Sequence, residues 1–319
     1  MKAILVRAFG GPEVLALEDV PDPTPGPGQV VVAVKAVGVN PVEAYVRAGT
    51  YPALPQRPYC PGSDAAGVVE SVGRGVTGVR AGDRVYLYGA VTGAYAQKAL
   101  CASSRAFTLP ASLSFEQGAA LGVPYGTAHR ALFLRGRAKK GETVLIHGAS
   151  GGVGVAAVQL ALAAGLTVLG TGGGGAGAAF VASLGARAFD HRAPGYRDAI
   201  AAATENKGPD LILEMLANVN LPADLGLAAT RGRIIIIGSR GPVEIDARAA
   251  MMKDLDVLGM SMRNADEEDV VSLHAALAAG LKSGALKPVI ARSFPLAEAA
   301  RAHEAVMSPG ARGKIVLIP

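Results

Sequence analysis

The sequence predicts an α/β chain in which a small, partly open β-barrel domain carries an inserted domain built on a doubly wound parallel sheet. Three observations predict this fold class. Short β-favouring runs separated by turns fill the first hundred residues, strands alternate with helices from about residue 115, and a mixed tail begins after Met262. We assign residues 1–122 to the barrel domain, 123–262 to the inserted domain and 263–319 to a return to the barrel.

The amino-terminal region reads as a series of strands with one short helix. A Pro- and Gly-rich stretch at 21–28 and the turn Ala81–Asp83 separate the apolar runs. The helix is predicted at Pro41–Ala48, because proline is tolerated in a first turn whose amide lacks an acceptor in any case. The predicted strands are Ala3–Arg7, Gln29–Val37, Gly67–Val72, Arg84–Tyr88 and Tyr95–Leu100.

The middle region alternates short apolar strands with helices, and the stable solution for that pattern is a parallel sheet covered on both faces. Its predicted strands are Thr143–His147, Thr167–Gly170, Ala188–Asp190, Asp210–Leu216, Arg233–Gly238 and Val257–Met262. Its predicted helices are Val153–Ala164, Ala176–Leu184, Asp198–Glu205 and Pro222–Ala229. In the tail, helices are predicted at Asp266–Ser283 and Leu296–Met307, and strands at Lys287–Phe294 and Lys314–Ile318.

Composition excludes several classes of protein. Half of the 319 residues are apolar, which argues against wholesale disorder, and the net charge of +5 is spread without the basic stripe of a nucleic-acid-binding protein. Two cysteines, Cys60 and Cys101, do not suggest a disulfide framework. No apolar stretch reaches the roughly 18 residues of a membrane span, and the start is too polar for a signal peptide. We expect a cytoplasmic protein.

The most informative motif is a glycine cluster between a strand and a helix. The spacing Ala149-x-Gly151-x-x-Gly154 follows the apolar strand Thr143–His147. Gly151 allows the backbone to approach a pyrophosphate, and Gly154 allows the helix to pack closely on the strand. The alternative is a purely structural glycine turn, but the strand–turn–helix context and the β-α units that follow favour dinucleotide binding.

Cofactor choice is determined about twenty residues further on, at the end of the second strand. The stretch Leu169–Gly175 contains no Asp or Glu to accept a hydrogen bond from a ribose 2′-hydroxyl, which disfavours NAD. A 2′-phosphate would be held by glycine amides and by charge from His191 or Arg192. We predict NADPH, and the alternative is that the glycine run is merely flexible.

The sequence also predicts that no metal is bound. A zinc dehydrogenase is expected to carry a Cys within Gly38–Glu43 and a His-Glu pair within Pro61–Gly67, and neither is present. The five histidines do not cluster with carboxylates at ligand spacing. Without a Lewis acid, alcohol oxidation is a poor fit, whereas hydride delivery to an activated acceptor needs mainly positioning.

Six segments of the chain share one family pattern: Gly38–Arg47, Pro61–Glu70, Val123–Ala128, His147–Gly154, Glu214–Asn220 and Gly238–Gly241. Together they resemble the zeta-crystallin-type NADPH:quinone oxidoreductases, the zinc-independent branch of the medium-chain dehydrogenase/reductase superfamily. The resemblance runs in register over nearly the whole chain. It implies a GroES-like barrel with an inserted Rossmann domain, and a cleft between them for cofactor and substrate.

The resemblance also implies roles for individual residues. As candidate catalytic residues, Tyr45 would lie against the nicotinamide or its phosphates and Asn40 would line the substrate cleft. Thr127 would meet the nicotinamide ribose. The remaining cofactor residues are Ser150, Gly151, Gly152 and Val153 at the pyrophosphate, Gly173 and His191 at the adenosine end, and Asn220, Gly238, Ser239, Arg240, Met260, Ser261 and Met262 along the channel.

Several of these assignments have a structural alternative. Tyr45 could simply pack against the barrel, and Tyr51 and Tyr125 either line the acceptor pocket or belong to the core. No residue is an evident acid–base catalyst. The sequence departs from many relatives at Gly172–Gly177, where they carry charged residues.

The resulting function is NADPH-dependent, zinc-independent reduction of quinones. One alternative is an enoyl or acrylate reductase that uses the same hydride geometry. Another is a protein that binds NADPH or RNA with little turnover. The apolar edge strand Val257–Met262 predicts a homodimer or tetramer.

Overall fold

The computed structural model describes all 319 residues, which form two compact units. One unit consists of residues 1–123 and 288–319, and the other of residues 124–287. The predicted return to the barrel at residue 263 differs from this division, because the stretch 263–287 belongs to the second unit. Two contacts hold it there: Asp269 pairs with Arg130 at 3.2 Å, and Gln159 exchanges two hydrogen bonds of 2.8 Å with the backbone of Lys287.

The first part of the chain is dominated by antiparallel strands. The sequence did not predict the strands at 15–19 and 106–108 or the short helix at 115–118, which are only three to five residues long. The elements are β1 (Lys2–Val6), β2 (Leu15–Asp19), β3 (Gln29–Val39), α1 (Pro41–Arg47), β4 (Asp64–Val72), β5 (Arg84–Tyr88), β6 (Lys98–Ala102), β7 (Ala106–Thr108) and α2 (Phe115–Gly118).

From residue 122 onward, strands alternate with helices. A π-helical turn at Arg130–Arg135 continues the first of these helices. The elements are α3 (Gly122–His129), β8 (Thr143–Ile146), α4 (Gly152–Ala163), β9 (Thr167–Gly172), α5 (Gly174–Ser183), β10 (Arg187–Asp190), α6 (Tyr196–Ala203), β11 (Leu211–Glu214), α7 (Ala217–Leu227), β12 (Arg233–Ile236), α8 (Ala247–Met251), β13 (Asp256–Gly259) and α9 (Glu267–Ser283).

The chain closes with β14 (Ile290–Pro295), α10 (Ala299–Met307) and β15 (Lys314–Ile318). These elements complete the sheet of the first unit, whose strand order is β14-β15-β3-β4-β5-β7 with β6 also paired to β3. The eleven-residue β3 is central because it pairs with β4, β6 and β15, and its apolar run is buried. β1 and β2 form a separate two-stranded sheet. This is the predicted partly open barrel.

The second unit contains a six-stranded sheet with the order β10-β9-β8-β11-β12-β13, in which every neighbouring pair is parallel. This is the doubly wound order of a Rossmann fold, so the predicted fold class is confirmed. The chain leaves in opposite directions from β8 and β11, which makes the carboxyl ends of those two strands the place where ligands gather.

One helix of this unit begins earlier than predicted. α7 begins at Ala217, five residues before Pro222, which we interpreted as its first turn. Pro222 lies inside the helix, so it was misleading as a marker of the helix start. The short helix α8 was not predicted. None of the helices combines the length and the apolar character that crossing a membrane requires.

Candidate active site

A tight glycine turn links the first strand of the parallel sheet to the helix that follows. Gly148 has a φ of +59°, and its amide donates to Thr171 Oγ1 at 3.1 Å. The Gly151 amide closes the turn by donating to the Gly148 carbonyl at 3.0 Å. A β-carbon at Gly154 would lie 2.5 Å from Ala149 Cα. The helix α4 therefore approaches the turn as closely as only a glycine permits.

The start of α4 has the features of a phosphate site. No side chain caps this 12-residue helix, and its first amides have no acceptor within the helix. A β-carbon at Gly151 would meet nothing nearer than the Gly148 carbonyl oxygen at 3.6 Å, so the space beside the turn is open. Those amides and the positive end of the helix dipole attract an anion. Ser150, Gly151, Gly152 and Val153 all lie here and fit a dinucleotide pyrophosphate.

The second glycine stretch, at the end of β9, lies beside two basic side chains. A β-carbon at Gly173 would be 3.2 Å from the His191 ring and 3.4 Å from Arg192 Nε. Asp190 Oδ1 accepts from the Gly174 amide at 2.7 Å and the Arg192 amide at 2.9 Å. These backbone hydrogen bonds hold the pKa of Asp190 below its ordinary value. Its carboxylate is thus occupied by the backbone, and the exposed basic groups remain beside the glycines.

An open pocket of about 540 Å³ lies at the carboxyl ends of β12 and β13. Four predicted cofactor residues line it: Gly238, Ser239, Met260 and Ser261. The other lining residues were not predicted from the sequence, because no motif marks them. They are Arg135, Ile236, Ile237, Gly259 and Asn264.

The remaining predicted residues of this unit lie in different places. The Arg240 amide donates to Asn218 Oδ1 at 2.9 Å. Met262 lies against Gly126, where a β-carbon would be 3.2 Å from its Cε, and the neighbouring Thr127 is buried. Tyr125 is only 1% exposed, and its hydroxyl donates to Gln159 Oε1 at 2.7 Å. The ring of Tyr125 therefore belongs to the core, and we withdraw it from the acceptor pocket.

Asn220 belongs to a buried polar cluster that sequence spacing did not predict. Its Nδ2 donates to Glu214 Oε1 at 3.2 Å. His147 Nε2 lies 2.8 Å from Asp224 Oδ1 and 3.6 Å from Glu214 Oε2. The expectation that no histidine clusters with carboxylates was therefore wrong for His147. His147 is far from Glu214 and Asp224 in the sequence and meets them because β8 and β11 are neighbours.

In the first unit, Asn40 is buried with its side-chain amide fully bonded. Its Nδ2 donates to Asp64 Oδ2 at 3.0 Å and to Glu43 Oε1 at 3.2 Å. Lys314 Nζ donates to Asn40 Oδ1 and, at 3.2 Å, to Asp64 Oδ2. Asp64 Oδ1 also accepts from the Val123 amide at 2.7 Å. These bonds make Asn40 part of a buried charged network.

This network extends to the carboxyl-terminal helix. Tyr95 Oη donates to Glu43 Oε2 at 2.8 Å and lies 3.0 Å from His303 Nε2. Burial raises the pKa of Glu43 and lowers that of His303 to about 4. A neutral His303 donates from Nε2 to the tyrosine oxygen, whose own proton goes to Glu43. Tyr45 and Tyr51 are half-buried on and after α1 in the same unit.

Comparison with known proteins agrees with this architecture. Residues 26–127 match the family model of the alcohol dehydrogenase GroES-like domain, and residues 184–317 match that of the zinc-binding dehydrogenases. The quinone oxidoreductase of Rattus norvegicus is 49% identical over all of this chain and 98% of its own length. That of Homo sapiens is 48% identical, with the same coverage.

The chain belongs to the quinone oxidoreductase family.

Solved structures of similar proteins share its fold over the full length. The quinone oxidoreductase of Escherichia coli complexed with NADPH has a TM-score of 0.91 and 31% identity, and each chain is covered completely. The quinone oxidoreductase of Pseudomonas syringae has a TM-score of 0.89 and 33% identity, with 100% of this chain and 99% of that chain covered.

One matching family model is named for zinc, but the residues at the expected zinc position of this quinone oxidoreductase family member are not a zinc ligand set. The two segments in which a zinc enzyme would carry ligands do come together, as Asn40 and Asp64. Beside them lie the Glu43 carboxylate, which accepts from Asn40, and the Lys314 ammonium, which donates to both Asn40 and Asp64. An amide, two carboxylates and a cation offer neither thiolate nor imidazole, and the cation would repel a metal ion.

Proposed function

We propose that this chain is an NADPH-dependent oxidoreductase that passes a hydride to quinones and works without a bound metal ion. The observation that carries the proposal is the uncapped glycine start of α4, on a chain about half identical to quinone oxidoreductases over its full length. When bound, NADPH supplies the hydride. The protein contributes binding, orientation and exclusion of water.

Each part of the cofactor has a matching group in the second unit. The pyrophosphate lies on the amides of Gly151, Gly152 and Val153. The adenosine end lies at Gly173, where Arg192 and His191 supply positive charge for a 2′-phosphate. The nicotinamide end lies in the pocket formed at the ends of β12 and β13.

The quinone is reduced by hydride transfer from the nicotinamide, and the relatives at 47–49% identity are all named quinone oxidoreductases. Tyr45 and Asn40 remain the predicted catalytic residues, Tyr45 for the nicotinamide or its phosphates and Asn40 for the substrate cleft. Because Asn40 is held by Lys314 and Asp64, its role is to shape the site. Tyr51 is the proposed contact to the acceptor.

The test is turnover of the purified protein with NADPH and with NADH, on 1,2- and 1,4-quinones and on enoyl thioesters, together with elemental analysis for metal. We expect NADPH-dependent quinone reduction by a metal-free protein. Activity confined to thioesters would identify an alkene reductase instead. Tight NADPH binding with no turnover on either class would identify a binding protein.

We further propose that two copies associate through the edge of the parallel sheet. β13 is the last strand and has a neighbour on one side only. Large apolar side chains near this edge are exposed, with Met251 at 64%, Met252 at 70% and Val257 at 36%. An unpaired strand beside an apolar patch invites pairing with an identical strand. Light scattering of the purified protein measures the assembly.

A cytoplasmic location completes the proposal. Cys60 and Cys101 are both free thiols, which is typical of proteins in a reducing compartment. Burial raises the pKa of each thiol to about 12, so neither is a reactive thiolate. Cell fractionation with compartment markers tests this location.

A further inference from the structure

Three buried ionisable side chains meet where the parallel sheet reverses its winding. His147 directly precedes the glycine turn, Glu214 is the last residue of β11, and Asp224 lies on α7. Their exposed fractions are 5%, 0% and 2%. The cofactor proposal assigns no part to them, yet the cluster joins the phosphate turn to the helix that carries Asn220.

The hydrogen bonds of Glu214 leave one of its oxygens without a donor. Oε1 accepts from the Leu216 amide and from Asn220 Nδ2. Oε2 is fully buried and accepts no hydrogen bond, and the carboxyl group as a whole lies within hydrogen-bonding reach of Asp224. Asp224 likewise has one bonded oxygen and one unbonded oxygen: Oδ1 lies 2.8 Å from His147 Nε2, and Oδ2 has no donor. Two neighbouring buried carboxyl groups thus each keep one oxygen without a donor.

One proton shared by the two carboxyl groups would balance the charge of this cluster. Two carboxylates in contact and out of water cannot both be ionised. With His147 protonated and one proton between the carboxyls, the cluster is neutral. Burial and the hydrogen bond to Asp224 raise the pKa of Glu214 to about 7. Burial lowers the pKa of His147, but the hydrogen bond and charge of Asp224 and the charge of Glu214 raise it by more.

The other charges acting on the cluster come from elements packed around it. Arg197 on α6 opposes the protonation of His147. His191, after β10, interacts with His147 through their charges, and its own pKa is lowered, first by burial. Neither supplies a hydrogen to the unpaired carboxyl oxygens.

We infer that Glu214 carries a proton in the folded protein, that it shares this proton with Asp224, and that the resulting bond fixes Asn220 and the phosphate turn for the cofactor. Glu214 is thereby a positioning residue that acts through Asn220. The inference rests on the proposed NADPH site. Its first consequence, a proton on Glu214, can be tested without any cofactor.

Glu214→Gln provides the sharpest test, because glutamine has the hydrogen-bonding pattern of the protonated acid. Its oxygen accepts from Leu216 and Asn220, and its amide donates to Asp224 at every pH. In the wild type, the raised pKa of Glu214 gives stability that is present below its unfolded value and is lost as pH rises through about 7. We expect the melting temperature of E214Q to rise relative to that of the wild type between pH 5 and pH 8.5.

Cofactor affinity tests the positioning role. We expect the Kd of the wild type for NADPH to increase between pH 6 and pH 9 on the order of fivefold more than that of E214Q. Comparing the two proteins cancels the titration of the cofactor phosphate. Glu214→Ala, which leaves Asn220 unsupported, should bind NADPH more weakly at every pH. The matched control is Glu205→Gln, an exposed carboxylate paired with Lys207, which should follow the wild type in both measurements.

The outcomes separate this inference from the proposed function. Parallel melting curves for E214Q and the wild type would overturn the shared proton, whether or not the protein reduces quinones. So would one equivalent of divalent metal that is lost in E214Q, because the three donor atoms lie within 4.8 Å of one another. If E214Q folds poorly, infrared spectra of the wild type decide: a protonated carboxyl band that titrates near pH 7 supports the inference, and its absence at pH 6 refutes it.

Discussion

At the scale of single residues, the proposed preference for NADPH depends on a few basic side chains beside the second glycine stretch. The stretch at the end of β9 is glycine and alanine only, so in the proposed function the positive charge for a 2′-phosphate comes from the loop after β10. Arg192 and His191 of that loop lie beside Gly173. The preference for NADPH over NADH should therefore depend on one guanidinium more than on the glycines.

Arg192→Ala tests this preference. Loss of a charge-assisted hydrogen bond to phosphate should raise the KM for NADPH about tenfold and leave that for NADH nearly unchanged. Steady-state kinetics with both cofactors measure the ratio. Arg187→Ala, another exposed arginine of the same unit, is the control. An equal change for both cofactors would show that Arg192 does not read the phosphate.

Lys314 is a buried cation in the charged network of the first unit. Its ammonium is buried between Asn40 and Asp64. Lys314→Met leaves the carboxylate of Asp64 buried without a counter-charge, which should lower the free energy of unfolding by about 3–5 kcal/mol. Denaturant unfolding measures the loss. The exposed Lys282→Met should cost far less, and similar losses for the two variants would contradict a special role for Lys314.

At the scale of elements, the approach of α4 to the glycine turn is the critical contact. Gly154→Ala places a methyl group against the backbone of Gly148 and Ala149, so the turn must move. We expect NADPH affinity to fall at least tenfold, measured by fluorescence titration. Gly226→Ala, in α7, adds a methyl into open space and should raise stability by up to about 1 kcal/mol without loss of affinity. Equal effects would mean that the turn tolerates displacement.

The helix α10 contributes a pH dependence through His303. Its pKa is about 4 because of burial, against 6.5 in the unfolded chain. The unfolded state therefore binds more protons between these values, and stability present above pH 6.5 is lost as pH falls toward 4. The full effect is about 3 kcal/mol. His303→Gln should reduce this loss of unfolding free energy, as measured by denaturant unfolding at pH 4–7. An unchanged loss would assign it to other groups.

Local patterns predicted the elements well and the contacts between them poorly. The alternation of strands and helices and the glycine turn depend on residues close in sequence, so periodicity and turn chemistry revealed them. The bond from Lys314 to Asn40 joins residues 274 positions apart, and that from His147 to Asp224 joins residues 77 apart. No local signal marks such partners. Tyr125 shows the converse, since an aromatic residue beside a motif turned out to be core.

At the scale of the whole molecule, assembly is expected to depend on the backbone of β13. The Met260 amide donates to Ile236 of β12, and the Asp256 amide donates to Gly232, directly before β12. In a strand the direction alternates, so the Val257 amide points to the open edge. If two copies pair through this edge, Val257→Pro removes an outward donor and keeps the bonds to β12. The side chain of Val257 is expected to contribute to the association as well, because it is partly exposed.

Val257→Pro should therefore yield a monomer by light scattering, with the melting temperature lowered only modestly. Val257→Thr keeps the amide and the branched shape, so it should remain associated. The proposed phosphate turn follows β8, which β11 and β12 separate from the assembly edge at β13, so the monomer should still bind NADPH. A wild-type protein of monomeric mass would contradict the edge pairing outright, and a proline variant that stays associated would move the interface away from β13.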